Sequence, residues 1–240
     1  MRAANLVGVP DRQVEIVDMP ADMQGIVPAF FESMGDRSVY AVSPIPSEWS
    51  EAKVDDYLRS HNDYYLENLT IHEAMPGHFL QSPHLKENTS ALRRALGSRE
   101  FAEGWAVYAQ QMMVDAGYLC DDPLFELAEL QWRLGSACNA LLDIGVHTEG
   151  WTRKRGVDLL VRTCFQKQSE AASKWNRATL TSTQLLTYFV GYSEHVALRD
   201  EIRRRQGAAF DLRRCNDAVL AHGMPPVRLV RALMLGGAIR

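Results

Sequence analysis

No run of roughly eighteen apolar residues occurs anywhere in this 240-residue chain, so no segment predicts a helix across a bilayer. The opening MRAANLVGVPDRQVEIVD has an early Arg but no continuous apolar stretch, so no export leader is read there and the expected location is cytoplasmic by default. An excess of positive charge is lacking too. Lys and Arg number 26 against 30 Asp and Glu, a formal net charge of -4, which leaves no electrostatic footprint for nucleic acid. The dense run Arg203, Arg204, Arg205 reads as the solvated end of a helix. Cysteine is scarce: Cys120, Cys138, Cys164 and Cys215 stand far apart with no CxxC pair, in a chain long enough to fold without covalent staples. Free thiols and a reducing compartment are the expectation. The glycines form neither G-x-G-x-x-G nor a P-loop, and G-x-S-x-G is missing, which removes the usual nucleotide sites and serine hydrolases. Without internal repeats or low-complexity tracts, a solenoid is excluded as well.

What is present is an ordinary globular composition, 46% hydrophobic and 23% charged. Residues 1–48 alternate β-rich runs (Gln13 to Val17, Ala29 to Glu32, Ser38 to Ser43) with Pro10, Pro20, Pro28, Pro44 and Pro46, predicting a small sheet or irregular lobe. From Ser47, a plausible N-cap with Glu51 nearby, apolar residues recur at helical spacing, so 49–240 reads as one helical unit. The best-marked helix starts at Asp121 or Asp122 before Pro123, with Leu124, Leu127, Leu130, Leu134, Ala137 and Leu141 forming the stripe expected to be buried. Thr152 caps a further predicted helix running to Phe165, and Thr181 or Thr183 precedes one ending at Gly207. The predicted fold is mainly α-helical with a small β-rich N-terminal appendage.

Chemistry is concentrated in NLTIHEAMPGHFLQ, at 68–81. His72 is followed at once by Glu73 and six positions later by His78, an HExxxxH pattern. Neutral imidazoles are good zinc ligands, and a carboxylate beside a ligand can take a proton from a water that zinc has acidified, so Glu73 reads as a general base and not as a ligand. Six helical residues turn the chain by about 600°, which leaves the second His roughly 120° off the first. An unbroken helix therefore cannot aim both at one ion. Pro76 and Gly77 lie between them and predict the break that swings His78 back. A catalytic zinc needs a third protein ligand, and Glu103 in FAEGWAVYAQQ supplies it from a following antiparallel helix. Gly104 beside it favours close helix approach, and Trp105 and Tyr108 are candidates to orient the site. The structural alternative makes His72 and His78 satisfied core or cap histidines and Glu103 an ion-pair member.

Taken together, HEAMPGHFLQ, FAEGWAVYAQ, LLDIGVHTEGWT, QLLTYFVG and FDLRRCNDAVLAHGMPP resemble, in order, the bacterial domain-of-unknown-function 885 family. The resemblance implies a zincin-like, mostly helical metallopeptidase branch, with His72, His78 and Glu103 holding one zinc ion and Glu73 catalytic. It adds His147 and Tyr188 as polar residues at the cleft, either of which could serve an oxyanion. The alternative for His147 is a helix C-terminal histidine meeting the dipole, and for Tyr188 a core tyrosine with its hydroxyl satisfied. The chain departs from the family at Ser182, Thr183 and Gln184, where a turn is expected to differ, and at Cys215 and Asn216, where a polar group near the cleft is expected to be altered. It resembles a C-terminal half of the family's length. That predicts an exposed apolar face for a second copy or a partner chain. The functional expectation is zinc-dependent hydrolysis of a peptide or small amide; the alternative is a catalytically silent domain that binds zinc or a partner.

Overall fold

The computed structural model describes residues 4–9, 11–24, 28–34 and 37–237. Within the predicted 1–48 segment, Pro10 and residues 1–3, 25–27 and 35–36 lie outside that description. Strands β1 (Glu15–Asp18), β2 (Ala29–Met34) and β3 (Arg37–Val42) arise where the β-rich runs were read. Their order is β1-β3-β2, with β1 parallel and β2 antiparallel to the central β3. Phe31 is registered against Tyr40 and Ala29 against Val42, and among the described residues β2 is an edge strand of the sheet.

The remainder is helical. It comprises α1 (Glu51–Ser60), α2 (Asp63–Glu73), α3 (His78–Glu87), α4 (Ala91–Ala95), α5 (Arg99–Asp115) and α6 (Pro123–Thr148). It continues with α7 (Arg153–Arg162), α8 (Gln168–Leu180), α9 (Leu186–Gln206), α10 (Leu212–Ala221) and α11 (Val227–Leu235). Most begin at a short polar side chain that accepts an otherwise orphaned N–H of the first turn: Ser50, Asn62, Ser90, Ser98, Asp122, Thr152 and Asp211. Asp122 before Pro123, and Thr152, match the sequence reading; the cap of α1 is Ser50, not Ser47. Helix α7 stops at Arg162, short of Phe165, whose φ of 57° no helix accommodates. At the start of α9 neither Thr181 nor Thr183 is the cap. The buried Asp143 carboxylate of α6 does that work across the chain, accepting from Thr183 N at 3.2 Å and Leu186 N at 3.0 Å.

The main core lies along α5 and α9. Phe101, Trp105, Tyr108 and Met112 are essentially unexposed and pack with Leu198 and Ile202 of α9, Val219 and Leu220 of α10, and Val227 and Val230 of α11. Each such side chain contributes about 1.5–3 kcal/mol on burial, so this seam is the platform on which the rest rests. Gly104 sets its spacing: a Cβ there would lie 2.2 Å from the Gly191 carbonyl carbon on α9. The close approach expected at Gly104 is therefore against α9. His195 sits inside the seam with its Nε2 3.1 Å from the Phe101 carbonyl, and burial pushes its pKa down to about 4, so it stays neutral and structural.

Two expectations are corrected. Most of the α6 leucine stripe faces outward: Leu124, Leu127, Leu130 and Leu141 are 50%, 59%, 45% and 51% exposed, while Leu134 packs partly buried against the core beside α7. The buried side of α6 is instead Phe125, Glu129, Ser136, Asn139, Ala140 and Asp143, together with Cys138 and Leu142. Apolar periodicity locates a stripe but not the side on which neighbours sit. The second correction concerns cysteine. Cys138 on α6 and Cys164, just past α7, form a disulfide across 26 residues, because α7 folds back along α6; only Cys120 and Cys215 are free. Among the described residues, no helix is long and apolar enough to cross a membrane.

Candidate metal centre

His72 stands in the last turn of α2, Glu73 ends that helix, and His78 opens α3. The break between them is built as the sequence demands. Gly77 packs so tightly on the end of α2 that a Cβ would lie 1.8 Å from the His72 carbonyl oxygen, and its N–H donates to Ile71 O at 3.0 Å. The buried Trp105 indole holds the turn from α5, Nε1 donating to Pro76 O at 2.9 Å. The new helix therefore starts beside the old one, and the two imidazoles meet edge to face with centroids 4.9 Å apart.

Glu103 of α5 completes the convergence. Its Oε2 lies 3.5 Å from Nε2 of His72 and 3.5 Å from Nε2 of His78. One ligating atom each of His72, Glu73 and His78 also falls within a 4.8 Å group. The His72 side chain is 4% exposed but those of His78 and Glu103 are 18% and 20%, so the centre is partly open to solvent. Burial pushes the His78 pKa down, but the hydrogen bond and charge of Glu103, with Glu73 behind it, prevail and hold it up at about 9. Burial likewise works against ionised Glu103, yet the two imidazoles hold its carboxyl well below the usual range.

The opposite ring nitrogens are held by residues that sequence reasoning missed. His72 Nδ1 meets Gln110 Oε1 at 3.3 Å, and His78 Nδ1 meets Gln81 Oε1 at 2.9 Å. An amide oxygen only accepts, so each Nδ1 carries a hydrogen, and each Nε2, turned toward Glu103, becomes a donor atom for a metal once it gives up any proton it holds. The glutamines are themselves fixed: Gln110 Nε2 donates to Asn68 O and Gln81 Nε2 to Ala102 O, both at 3.3 Å. Helical spacing was the available signal, since Gln81 lies one turn after His78 and Gln110 two turns after Glu103. Two imidazole nitrogens and a carboxylate oxygen are donor types that suit a zinc ion, and the glutamines orient the rings that carry the nitrogens. Gln110→Met is expected to weaken zinc binding by about 10–100-fold, read by competition with a chromogenic chelator; unchanged affinity would show that Gln110 does not orient His72.

Glu73 is fixed by the sheet. Its Oε2 accepts the Phe31 N–H of the edge strand β2 at 3.0 Å, a backbone contact with no sequence signature. Tyr188 of α9 comes to the same place, its ring stacked 6.2 Å from that of His72. Burial, with the Glu103 charge added, raises its pKa to about 12, so the phenol keeps its proton. Arg177 of α8 donates to the Tyr188 hydroxyl at 3.3 Å, leaving the phenolic hydrogen free to point elsewhere. Arg177 was not read from sequence.

His147 is held differently. Its Nε2 is 3.0 Å from Ala178 O and 2.8 Å from Thr181 O, at the C-terminal end of α8, with Asp143 at 3.3 Å. It thus meets a helix C-terminus, that of α8 and not of its own helix. Tyr108 lies behind Trp105, centroids 5.6 Å apart, and donates to Asn216 Oδ1 at 3.1 Å. Asn216 is a core residue: it is 2% exposed and also donates to Leu6 O at 2.8 Å, so the departure there tethers the N-terminal segment and touches no cleft. Cys215 beside it is buried, and burial pushes its thiol up to about 11.

A family model described as "Bacterial protein of unknown function (DUF885)" matches residues 2–234. A solved structure of a candidate lipoprotein of unknown function from Shewanella oneidensis is 33% identical with a TM-score of 0.89, covering 98% of this chain and 42% of its own. Another, a candidate lipoprotein from Colwellia psychrerythraea, is 26% identical with a TM-score of 0.85, covering 96% of this chain and 39% of its own. The chain thus spans less than half the length of both. No protein of curated function matches it.

Proposed function

Because the chain belongs to the family described as bacterial protein of unknown function (DUF885), its chemistry must be read from its own residues, and we propose a zinc-dependent hydrolase of peptide or amide bonds with a zincin-like helical site. The observation that carries this reading is the convergence of His72 Nε2 and His78 Nε2 on Glu103 Oε2, each at 3.5 Å. These three residues would hold the ion. When bound, zinc supplies Lewis-acid chemistry, acidifying a water and polarising a carbonyl.

The other steps belong to the chain. Glu73, with Oε2 occupied by the Phe31 N–H, uses its second oxygen to take the proton of the attacking water and passes it to the leaving amine. Tyr188, kept protonated and supported by Arg177, donates to the oxygen on which negative charge develops. The side chains of His147 and Asp143 hold the backbone of the turn that leads into α9 and so fix the register of Tyr188.

Elemental mass spectrometry on purified protein and on Glu103→Ala is the direct test. About one zinc per chain, lost in the variant, is expected. Protein that takes up no zinc after reloading would overturn the proposal. A second reading, a zinc-binding or partner-binding domain without turnover, is favoured by the exposed α6 leucines, an apolar face suited to a second copy or another chain. Zinc retained without hydrolysis across blocked dipeptides and simple amides would decide for it. The Cys138–Cys164 disulfide and the candidate lipoproteins among the similar structures favour an oxidising compartment outside the cytoplasm over the cytoplasmic default.

A further inference from the structure

Helix α8 forms one wall of the approach to the metal centre, and the contacts at its two ends fix the direction of its inner face. Near its start, Lys167 bonds the Asp56 carboxylate of α1 at 2.8 Å, and the Glu170 charge acts on His61 and Tyr65. Near its end, Arg177 bonds Tyr188, whose ring stacks on His72. Residues 167, 170, 174 and 177 recur at helical spacing on one face, so Lys174 stands between these landmarks.

The facing surface is aromatic. Rings succeed one another from Tyr57 to His61 at 4.2 Å, to Tyr65 at 4.7 Å, to Trp132 at 5.1 Å and to His72 at 5.7 Å. All but His72 are half-buried, each with part of its surface still open. A mainly basic face, interrupted by Glu170, thus stands opposite an aromatic one, with the metal centre where they meet.

The cations nearest that centre are not held in ion pairs, and the nearest acid on their face is Glu170, one turn before Lys174. Among the described residues, neither Lys174 nor Arg177 has an ion pair, although both are half-buried and lie one turn apart. Burial, with the Arg177 charge added, lowers the Lys174 pKa despite Glu170. Arg177 is also immobilised: its Nε donates to Gln184 Oε1 at 3.0 Å and one Nη2 hydrogen goes to Tyr188, leaving the Nη1 end of the fork unengaged. Holding two like charges together in a half-dry wall is unfavourable unless an anion joins them. A planar guanidinium with a free edge is shaped for a carboxylate.

We propose that Arg177, assisted by Lys174, receives a carboxylate of the substrate beside the metal centre, so that the chain acts on substrates bearing a free carboxylate next to the scissile bond. This rests on the hydrolase reading for the words substrate and scissile; the carboxylate site itself does not. If the group is an α-carboxylate, hydrolysis removes C-terminal residues; if it is a side chain, cleavage occurs next to acidic residues.

The test is calorimetric titration of the zinc-loaded protein with N-acetyl-phenylalanine, its amide, and the α-amide of N-acetyl-glutamate, together with zinc analysis of the same samples. The expected result is at least a tenfold preference for one of the two acids over the neutral amide. Arg177→Met should abolish it, Arg177→Lys should retain part, and Lys174→Met should reduce it. Which acid binds distinguishes α-carboxylate from side chain. Equal binding of acids and amide, no binding below about 10 mM, or a preference that survives in folded Arg177→Met would each overturn the proposal. Loss of zinc with the acid preference intact would instead sink the metal reading and leave the carboxylate site standing.

Discussion

Glu73→Gln is expected to keep about one zinc per chain while losing about 10²–10⁴-fold in kcat on any peptide or amide that the wild type hydrolyses, the range measured for removal of a positioned general base. The change is nearly isosteric, and the amide oxygen still accepts the Phe31 N–H that fixes the carboxylate. The imidazoles and Glu103 are untouched, so structure and metal content are preserved and only proton acceptance is lost. That separation makes the variant informative. A fall confined to kcat, with zinc unchanged, identifies Glu73 as the base, whereas turnover within about tenfold of wild type would mean that another group takes the proton. Loss of zinc along with activity would reassign Glu73 to the ligand set, a role its grouping with His72 and His78 also permits.

Gly77→Ala should be the most damaging small substitution at the centre. The added carbon would lie 1.8 Å from His72 O and 2.5 Å from Ile71 O, and both are backbone atoms at the end of α2. Neither can rotate away as a flexible side chain would, so the start of α3 must move, and His78 with it. We expect at least about 3 kcal/mol of destabilisation, a fall of about 6–12 °C in Tm for a chain of this size, and zinc occupancy well below one per chain. Thermal melting and metal analysis of the same preparation read both effects. A variant that melts within about 2 °C of wild type and holds a full zinc would show that the turn is not constrained as described.

The helical character of residues from Ser50 onward was legible because it rests on local chemistry. A hydroxyl or carboxylate placed to accept a first-turn N–H works within four residues, so Asp122 with Pro123, and Thr152, announce their helices wherever those helices pack. The strands were readable for a similar reason, as β-branched and aromatic runs between prolines. The break between His72 and His78 also had to exist, because 3.6 residues per turn forbid the two from sharing a face six apart.

Orientation was not legible. The α6 leucines have the period of a buried stripe, yet most of them face outward because Cys138, Leu142 and Asp143 are the residues met by α7 and the α8–α9 turn. The Cys138–Cys164 bridge and the contact of the Phe31 N–H with Glu73 join segments whose separation carries no pattern. Arg177 looked like any surface arginine until the fold brought it to Tyr188. By itself, then, the sequence determined which segments are helical and where one helix must break, and it singled out His72, His78 and Glu103 as candidate ligands with Glu73 as candidate base. Only the tertiary structure decided which faces are covered, which backbone and glutamine groups hold those four, and which cations stand beside them. Caps and periodicity act over one turn of chain, whereas packing partners meet across dozens of residues that no local rule relates.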